Sequence, residues 1–288
     1  MPGVRTLTID NGRFPAMSRV RALILASHPG PSLAITGLVA LLAAQAAPHG
    51  LGPVLVAPAM LAGQLSVGWS NDAFDAGRDA AAGRTDKPIP TGKISARAVW
   101  IAAFTSLVAA LVMSLVLGAA TLIINVVIIG AAWAYNAGLK STLASGLMYL
   151  AGFAPIPAFA ASTLPGHPAP RWQVTVAAGA VGLGAHLANV LPDLAADRVA
   201  GVDGLPQQVA ARWGAGAVRA IALVLLLLAS VLLLLAASRR WVALAGLAAA
   251  ALLAVISARG SGRQPFLAAI GIAAIDVVLF AVGGEALT

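Results

Sequence analysis

Cysteine is absent from the 288-residue chain, which excludes disulfides and thiolate metal sites. Charge is scarce as well: Asp, Glu, Lys and Arg make up 10% of the residues, against roughly a quarter in a soluble globular domain. The stretch from Met1 to Met17 carries Arg5, Asp10 and Arg13 and has no apolar core of the length export requires, so no cleavable signal peptide is expected. What the chain has instead is hydrocarbon. Hydrophobic residues reach 60% and the mean hydropathy is +0.91, the composition of a polytopic membrane protein. The formal net charge of +8 points to nucleic acid only if the cations cluster for it, and here they do not.

Crossing a bilayer takes about 20 apolar residues, and nine such stretches are present. They run over residues 20–46, 51–70, 96–117, 119–137, 142–163, 172–190, 215–237, 240–257 and 264–283. The first is interrupted by His28-Pro29-Gly30-Pro31-Ser32, where proline must bend it. Arg19 and Arg21 then belong to an amphipathic entry helix at headgroup level. Of the 18 Lys and Arg residues, fifteen fall at the N-terminus and in alternate loops; Arg171, Arg239 and Arg240 fall on the opposite side. The positive-inside rule therefore places the N-terminus and those loops in the cytoplasm and the C-terminus outside, as in a multi-pass protein of the cell's inner, plasma membrane. The expected architecture is all-α: one polytopic domain over residues 1–288, with residues 1–19 as a cytoplasmic N-terminal segment and residues 71–95 and 189–214 as cytoplasmic loops.

Those two loops hold the polar chemistry. Asn71, Asp75 and Asp79 are spaced i, i+4, i+8, which lines one face of a helix, with Asp72 beside them. Asn189, Asp193 and Asp197 repeat the spacing 118 residues later, and each copy is followed by a glycine, Gly83 and Gly201. Both triads end an apolar run, four runs apart, so the two helices descend in the same sense. This is the pattern of a tandem four-helix repeat with one helix appended, whereas an inverted repeat needs an odd number of spans per unit.

A carboxylate in hydrocarbon costs at least ~2.5 kcal/mol, so a recurring acidic cluster calls for a partner. Plain solvated loop acids are one reading. The other is a divalent-cation site, since oxygen donors without His or Cys suit a hard ion such as Mg2+, which completes its shell with water and substrate phosphate. The loop Arg84-Thr85-Asp86-Lys87-Pro88-Ile89-Pro90-Thr91-Gly92-Lys93 supplies complementary charge, with Arg84, Lys87 and, in the second copy, Arg198 as candidate phosphate contacts. Lys93, Arg97, Arg212 and Arg219 read as topology residues. A diphosphate held at the mouth of an apolar bundle implies a lipid diphosphate whose allylic C–O bond can ionise away from water.

At these residues the chain resembles the UbiA superfamily of intramembrane prenyltransferases. Asn71, Asp72, Asp75 and Asp79 match its Asn-Asp-x-x-Asp-x-x-x-Asp motif, and Lys87-Pro88-Ile89-Pro90-Thr91-Gly92 is similar to its Arg-Pro-(Ile/Leu)-Pro-Ser-Gly. Asp193, Asp197, Arg198, Gly201 and Leu205-Pro206 resemble the form seen in chlorophyll synthases and archaeal ether-lipid prenyltransferases. Tyr135 to Lys140 is similar to the family's Tyr-Ser-x-x-Leu-Lys segment, with Asn136 in place of Ser. The resemblance implies nine helices around a central lipid-open chamber, with Mg2+ ions at its cytoplasmic mouth. Asn71, Asp72, Asp75, Asp79, Asn189, Asp193 and Asp197 would be the metal ligands; Arg84, Lys87, Lys140 and Arg198 would bind diphosphate; Asp75, Asp193, Lys140, Arg84 and Tyr135 would be catalytic. Asn189 stands where many members have an acid, which leaves that half with one charge less.

The implied activity is transfer of an isoprenyl group from a prenyl diphosphate to an aromatic or other lipophilic acceptor, with membrane lipid as surroundings and no nucleic acid involved. A terpene cyclase on the same scaffold would need the same motifs and no acceptor. A cation-coupled transporter would use the acids as ion ligands, but its acids belong at mid-membrane. His186 and His28 are further chamber candidates, and Asp276 lies in the last span apart from both motifs.

Overall fold

The computed structural model describes residues 19–46, 51–194, 197, 201–260 and 263–282. Among them there is no strand. The helices are α1 (Arg19–Ala26), α2 (Pro29–Ala46), α3 (Leu51–Ala81), α4 (Ala96–Leu117), α5 (Ala119–Asn136), α6 (Ser145–Phe153), α7 (Ile156–Ala161), α8 (Trp172–Val190), α9 (Leu205–Trp213), α10 (Ala215–Ala236), α11 (Arg240–Arg259) and α12 (Gln264–Val282).

Five of these, α4, α5, α10, α11 and α12, are long and apolar enough to cross a membrane, and α1 with α2 makes a sixth if the bent pair is one span. The three other stretches expected from sequence are helical with local differences. The 142–163 stretch becomes α6 and α7, divided at Ala154-Pro155. The stretch that ends at the first acidic motif becomes the 31-residue α3, which runs on through the motif to Ala81. The stretch ahead of the second motif becomes α8, whose run of alanine and glycine is interrupted by His186 and Asn189.

The expected bend in the first span is there, at 63°. Proline at the first position of α2 costs no hydrogen bond, and His28 ahead of it takes a left-handed backbone with φ 51°. Serines stitch the corner: Ser27 Oγ donates to the Ile24 carbonyl at 2.8 Å, and Ser32 Oγ to the Ser27 carbonyl at 3.1 Å. Gly118 makes a tight turn, serving as both the end of α4 and the start of α5 at φ 135°, a conformation that a side chain would disfavour.

Between spans the packing depends on small residues, because lipid is as apolar as leucine and only close approach favours helix on helix. α3 packs most extensively on α4, and α8 on α10. Gly184 of α8 lets the helix close on Leu226 and the Ala222 carbonyl of α10. Polar pairs lock the rest. Asn125 Nδ2 donates to Ser114 Oγ at 2.8 Å between α5 and α4, and Trp133 Nε1 to Ser66 Oγ at 2.9 Å between α5 and α3. Asp276, the acid deep in the last span, is fully buried and accepts a hydrogen bond from Ser230 of α10.

Gly68 sets how near the bent corner lies to α3. A Cβ there would overlap the Ser27 carbonyl oxygen, which is backbone and cannot swing away. Trp69 Nε1 donates to the Leu23 carbonyl at 2.9 Å across the same contact. Gly68→Ala should therefore destabilise the protein by about 2 kcal/mol through overpacking, read as a lowered thermal unfolding midpoint in detergent. Gly77→Ala, where an added Cβ meets nothing, is the matched control and should hold the midpoint or raise it.

Candidate active site

The first motif occupies the last turns of α3, where helical spacing puts Asn71, Asp75 and Asp79 on one face. Asp75 is held by two cations. Lys140, from the short turn after α5, donates to its Oδ1, and Arg78 pairs with its Oδ2 at 2.9 Å. Burial holds the Lys140 ammonium below the ordinary lysine value against the pull of Asp75. Asn71 donates to Asn136 Oδ1 at 3.2 Å, and the Asn136 amide donates in turn to the Val67 carbonyl at 3.0 Å and Ser70 Oγ at 2.9 Å. The asparagine that departs from the motif pattern thus ties the end of α5 to α3 with three hydrogen bonds, fixing the Asn71 side chain.

Asp72 is turned another way. Only 2% exposed, its Oδ1 meets His28 Nε2 at 2.7 Å and Lys87 Nζ, while Oδ2 has no partner. The structure therefore places Asp72 against the corner of α1 and α2 and the basic loop rather than on a cavity. Lys87 is engaged with it. Arg84 lies on the surface, where its Nε and Nη2 make a two-pronged contact to Asp86 at 2.8 and 2.7 Å. That contact pulls the Asp86 carboxyl down to about 2 and raises the arginine further; Asp79 and Asp193 also attract Arg84, so it stands in the field of both motifs.

The second motif departs from the expected helical register. α8 ends at Val190, and Pro192, which has no N–H to continue the ladder, follows directly. Asn189 is thus on the helix, whereas Asp193 stands in the turn beyond it. The two triads are spaced alike in sequence but are not alike in backbone. Asp197 accepts from Gln207 Nε2 of α9 at 2.7 Å; burial raises its carboxyl above the ordinary value, and the charge of Asp193 adds to this. Arg198 lies outside the described residues.

Between the motifs is a polar cavity of about 170 Å3, lined by Arg78, Tyr135, Lys140, His186, Asn189, Asp193, Asp197 and Gln207. Adjoining it is a chamber of about 410 Å3, mostly apolar, reached by Asn71 from the first motif and Asn189 from the second. Tyr135 and Asn189 line both spaces. An aromatic wall runs along them. Tyr149 stacks on His186 at 4.2 Å and meets Tyr135 edge to face at 5.2 Å. His186 Nε2 lies 3.1 Å from Ser145 Oγ, which accepts from the Leu205 amide at 2.9 Å, so α6, α8 and the start of α9 are joined under the cavity. His28 also lines the chamber.

Among the described residues, no three acidic or histidine side chains converge on one point; Asp72 and Asp75 of the first motif lean on cations instead. The donor chemistry nevertheless fits a hard cation. Asn189, Asp193 and Asp197 present oxygens to the polar cavity, with Asp75 directly behind Lys140 and Arg78. Arg78, Tyr149, Asn136 and Gln207 are site residues that sequence reasoning passed over. Arg78 could have been found, as it stands one turn from Asp75 on the helix; for Tyr149 and Gln207 no local pattern exists.

An acid- and cation-lined cavity thus adjoins a mostly apolar chamber within a bundle of helices, several of them long and apolar enough to cross a membrane. Residues 32–265 match the UbiA prenyltransferase family, and the chain belongs to it. No curated protein sequence matches significantly. Solved structures share the fold at low identity. A UbiA homologue from Archaeoglobus fulgidus bound to GPP and Mg2+ superposes with a TM-score of 0.69 at 15% identity, covering 92% of this chain and 99% of that one. A digeranylgeranylglyceryl phosphate synthase gives 0.66 at 19% identity, over 93% and 99%. A UbiA homologue from Aeropyrum pernix K1, in its apo state, gives 0.66 at 16%, over 94% and 98%.

In this arrangement Lys87 neutralises the buried Asp72. Lys87→Met leaves a buried carboxylate with only His28 and should cost about 3 kcal/mol of stability. Adding Asp72→Asn should restore most of it. Thermal unfolding of the two variants in detergent checks this, and equal midpoints for both would show that the pair carries no such burden.

Proposed function

We propose that the protein is a Mg2+-dependent intramembrane prenyltransferase that moves an isoprenyl group from a prenyl diphosphate to a lipophilic acceptor. The observation that carries the reading is the junction at Tyr135 and Asn189, where a cavity with four cation- or acid-bearing side chains, Arg78, Lys140, Asp193 and Asp197, opens into an apolar chamber. A prenyl diphosphate has the same two-part character. Solved UbiA homologues bound to GPP or DMAPP together with Mg2+ support it.

Asp75, Asp79, Asp193 and Asp197, with Asn71 and Asn189, would hold the metal, which when bound supplies charge stabilisation to the leaving diphosphate. Lys140 and Arg78, which pair with Asp75 and line the cavity, would face the diphosphate oxygens. The allylic C1–O bond breaks with its electron pair leaving on diphosphate. The acceptor's nucleophilic atom bonds to C1 and gives up its proton. The chamber walls exclude water, so the allylic cation meets the acceptor or its own chain rather than hydroxide. Tyr135, which lines both spaces at the junction, would stand beside that cation. Arg84, Lys87 and Arg198 take secondary parts in gathering the anion.

The family's nine spans apply here with α3, α6–α7 and α8 added to the six spans of length and composition, and with the two motifs as relics of a tandem four-helix repeat. The charge asymmetry of the loops supports a cytoplasmic N-terminus and a site on the cytoplasmic face of the plasma membrane.

Purified protein in detergent should release diphosphate from geranyl, farnesyl or geranylgeranyl diphosphate only with Mg2+ present. Release that requires an aromatic, quinol or lipid-alcohol acceptor and yields a prenylated product is the expected result. Release without acceptor, with a cyclic hydrocarbon or alcohol as product, would replace transfer by cyclisation. Asp75→Ala and Asp193→Ala should each lower turnover at least about a hundredfold while leaving the folded protein inserted. Lys140→Ala should raise the donor KM roughly tenfold. Wild-type turnover in both aspartate variants would remove the two-motif site.

A further inference from the structure

The chamber has a floor, and its construction assigns a residue to chain-length selection. Beyond the chamber lies a second, wholly apolar cavity of about 20 Å3, lined by Leu38, Leu42, Val181 and Phe280 among others. Ile35, Phe153 and Ile156 line both spaces, so these three side chains are the partition between them. At that size the inner cavity has room for little more than a single water-sized probe, and no isoprene unit enters it as it stands.

Of the three, Phe153 is the largest. It is the last residue of α6, packed directly on α8 at Gly182: a Cβ at Gly182 would fall 2.5 Å from the Phe153 Cγ. The ring therefore has the α8 backbone immediately behind it and cannot retreat to lengthen the chamber. Tyr149, one turn earlier on α6, lies nearly parallel to it at 6.0 Å and is itself stacked on His186. A ring held against backbone sets a hard limit on depth, whereas a flexible aliphatic side chain would set a soft one.

We propose that Phe153 ends the hydrocarbon channel and so sets the longest isoprenyl chain the protein accepts, with Ile35 and Ile156 completing the barrier. The proposal rests on the prenyl diphosphate reading above for the identity of the ligand, and on the shared cavity walls for the residue. Truncating the ring joins the chamber to the inner cavity; enlarging it shortens the chamber.

The test compares wild type with Phe153→Ala, Phe153→Leu and Phe153→Trp over dimethylallyl, geranyl, farnesyl and geranylgeranyl donors. Diphosphate release gives kcat/KM for each. Thermal stabilisation by the corresponding prenyl thiolodiphosphates, which ionise poorly, reads the channel without turnover. For Phe153→Ala, and to a lesser degree the better-packed Phe153→Leu, discrimination against the donor one unit longer than the wild-type optimum should relax roughly tenfold, and Phe153→Trp should sharpen it by a similar factor. Both readouts should move together. Chain-length profiles that stay within about twofold of wild type in the folded variants would overturn the assignment. If no donor is turned over but the binding profile still shifts with residue 153, the channel assignment stands and the transfer reading falls.

Discussion

A buried carboxylate at the edge of a hydrocarbon bundle is costly unless an opposite charge lies against it. At the mouth of this protein two acids of the first motif obtain that charge from different pieces of chain. Asp75 takes Lys140 from the turn after α5, and Asp72 takes Lys87 from the basic loop together with His28 from the corner of α1 and α2. Neutralising the acids and assembling the mouth are thereby the same event. The loop after α3 also packs Ile89 and Ile94 into an apolar cluster with Ala22, Trp69 and Ala73, so the ion pairs, the Asn71–Asn136 link and that cluster together register the mouth against α3.

The two kinds of pairing differ in consequence. Asp72 is buried, with its Oδ1 against His28 and Lys87. Asp75 pairs with two cations, Lys140 and Arg78, that also line the polar cavity beside the second motif. Under the proposed function, the resting ion pairs prefigure the diphosphate site: Lys140 is largely buried against Asp75, Arg78 stands half-exposed beside it, and both line the cavity. Beneath this polar layer the aromatic wall of Tyr135, Tyr149 and Phe153 lies against helices whose glycines let large rings approach the backbone, as Gly182 does for Phe153.

Much of this was legible in the linear sequence because its signals are local. Apolar runs of bilayer length, proline at the bend of the first span and the i, i+4, i+8 spacing of Asn71, Asp75 and Asp79 each depend on neighbours within a few turns. The second triad shows where local pattern misleads. Its spacing copies the first, yet Pro192 ends α8 after Val190 and moves Asp193 off the helix. Span counting met a similar limit. The 142–163 run is apolar throughout, but Pro155 divides it into α6 and α7.

By itself the sequence determined an all-helical membrane protein of the UbiA type, its oxygen-donor motifs and the cation-rich loops that accompany them, since hydropathy, proline placement and helical periodicity are properties of short stretches. Only the tertiary structure decided which acid meets which cation. It separated Asp72 from the cavity, joined Arg78 and Lys140 on Asp75, engaged Arg84 with Asp86, and set Phe153 between two cavities. Those outcomes depend on helices distant in the chain coming within a few ångströms of one another, and the side chain that fills a given gap is selected by packing geometry that no single segment encodes.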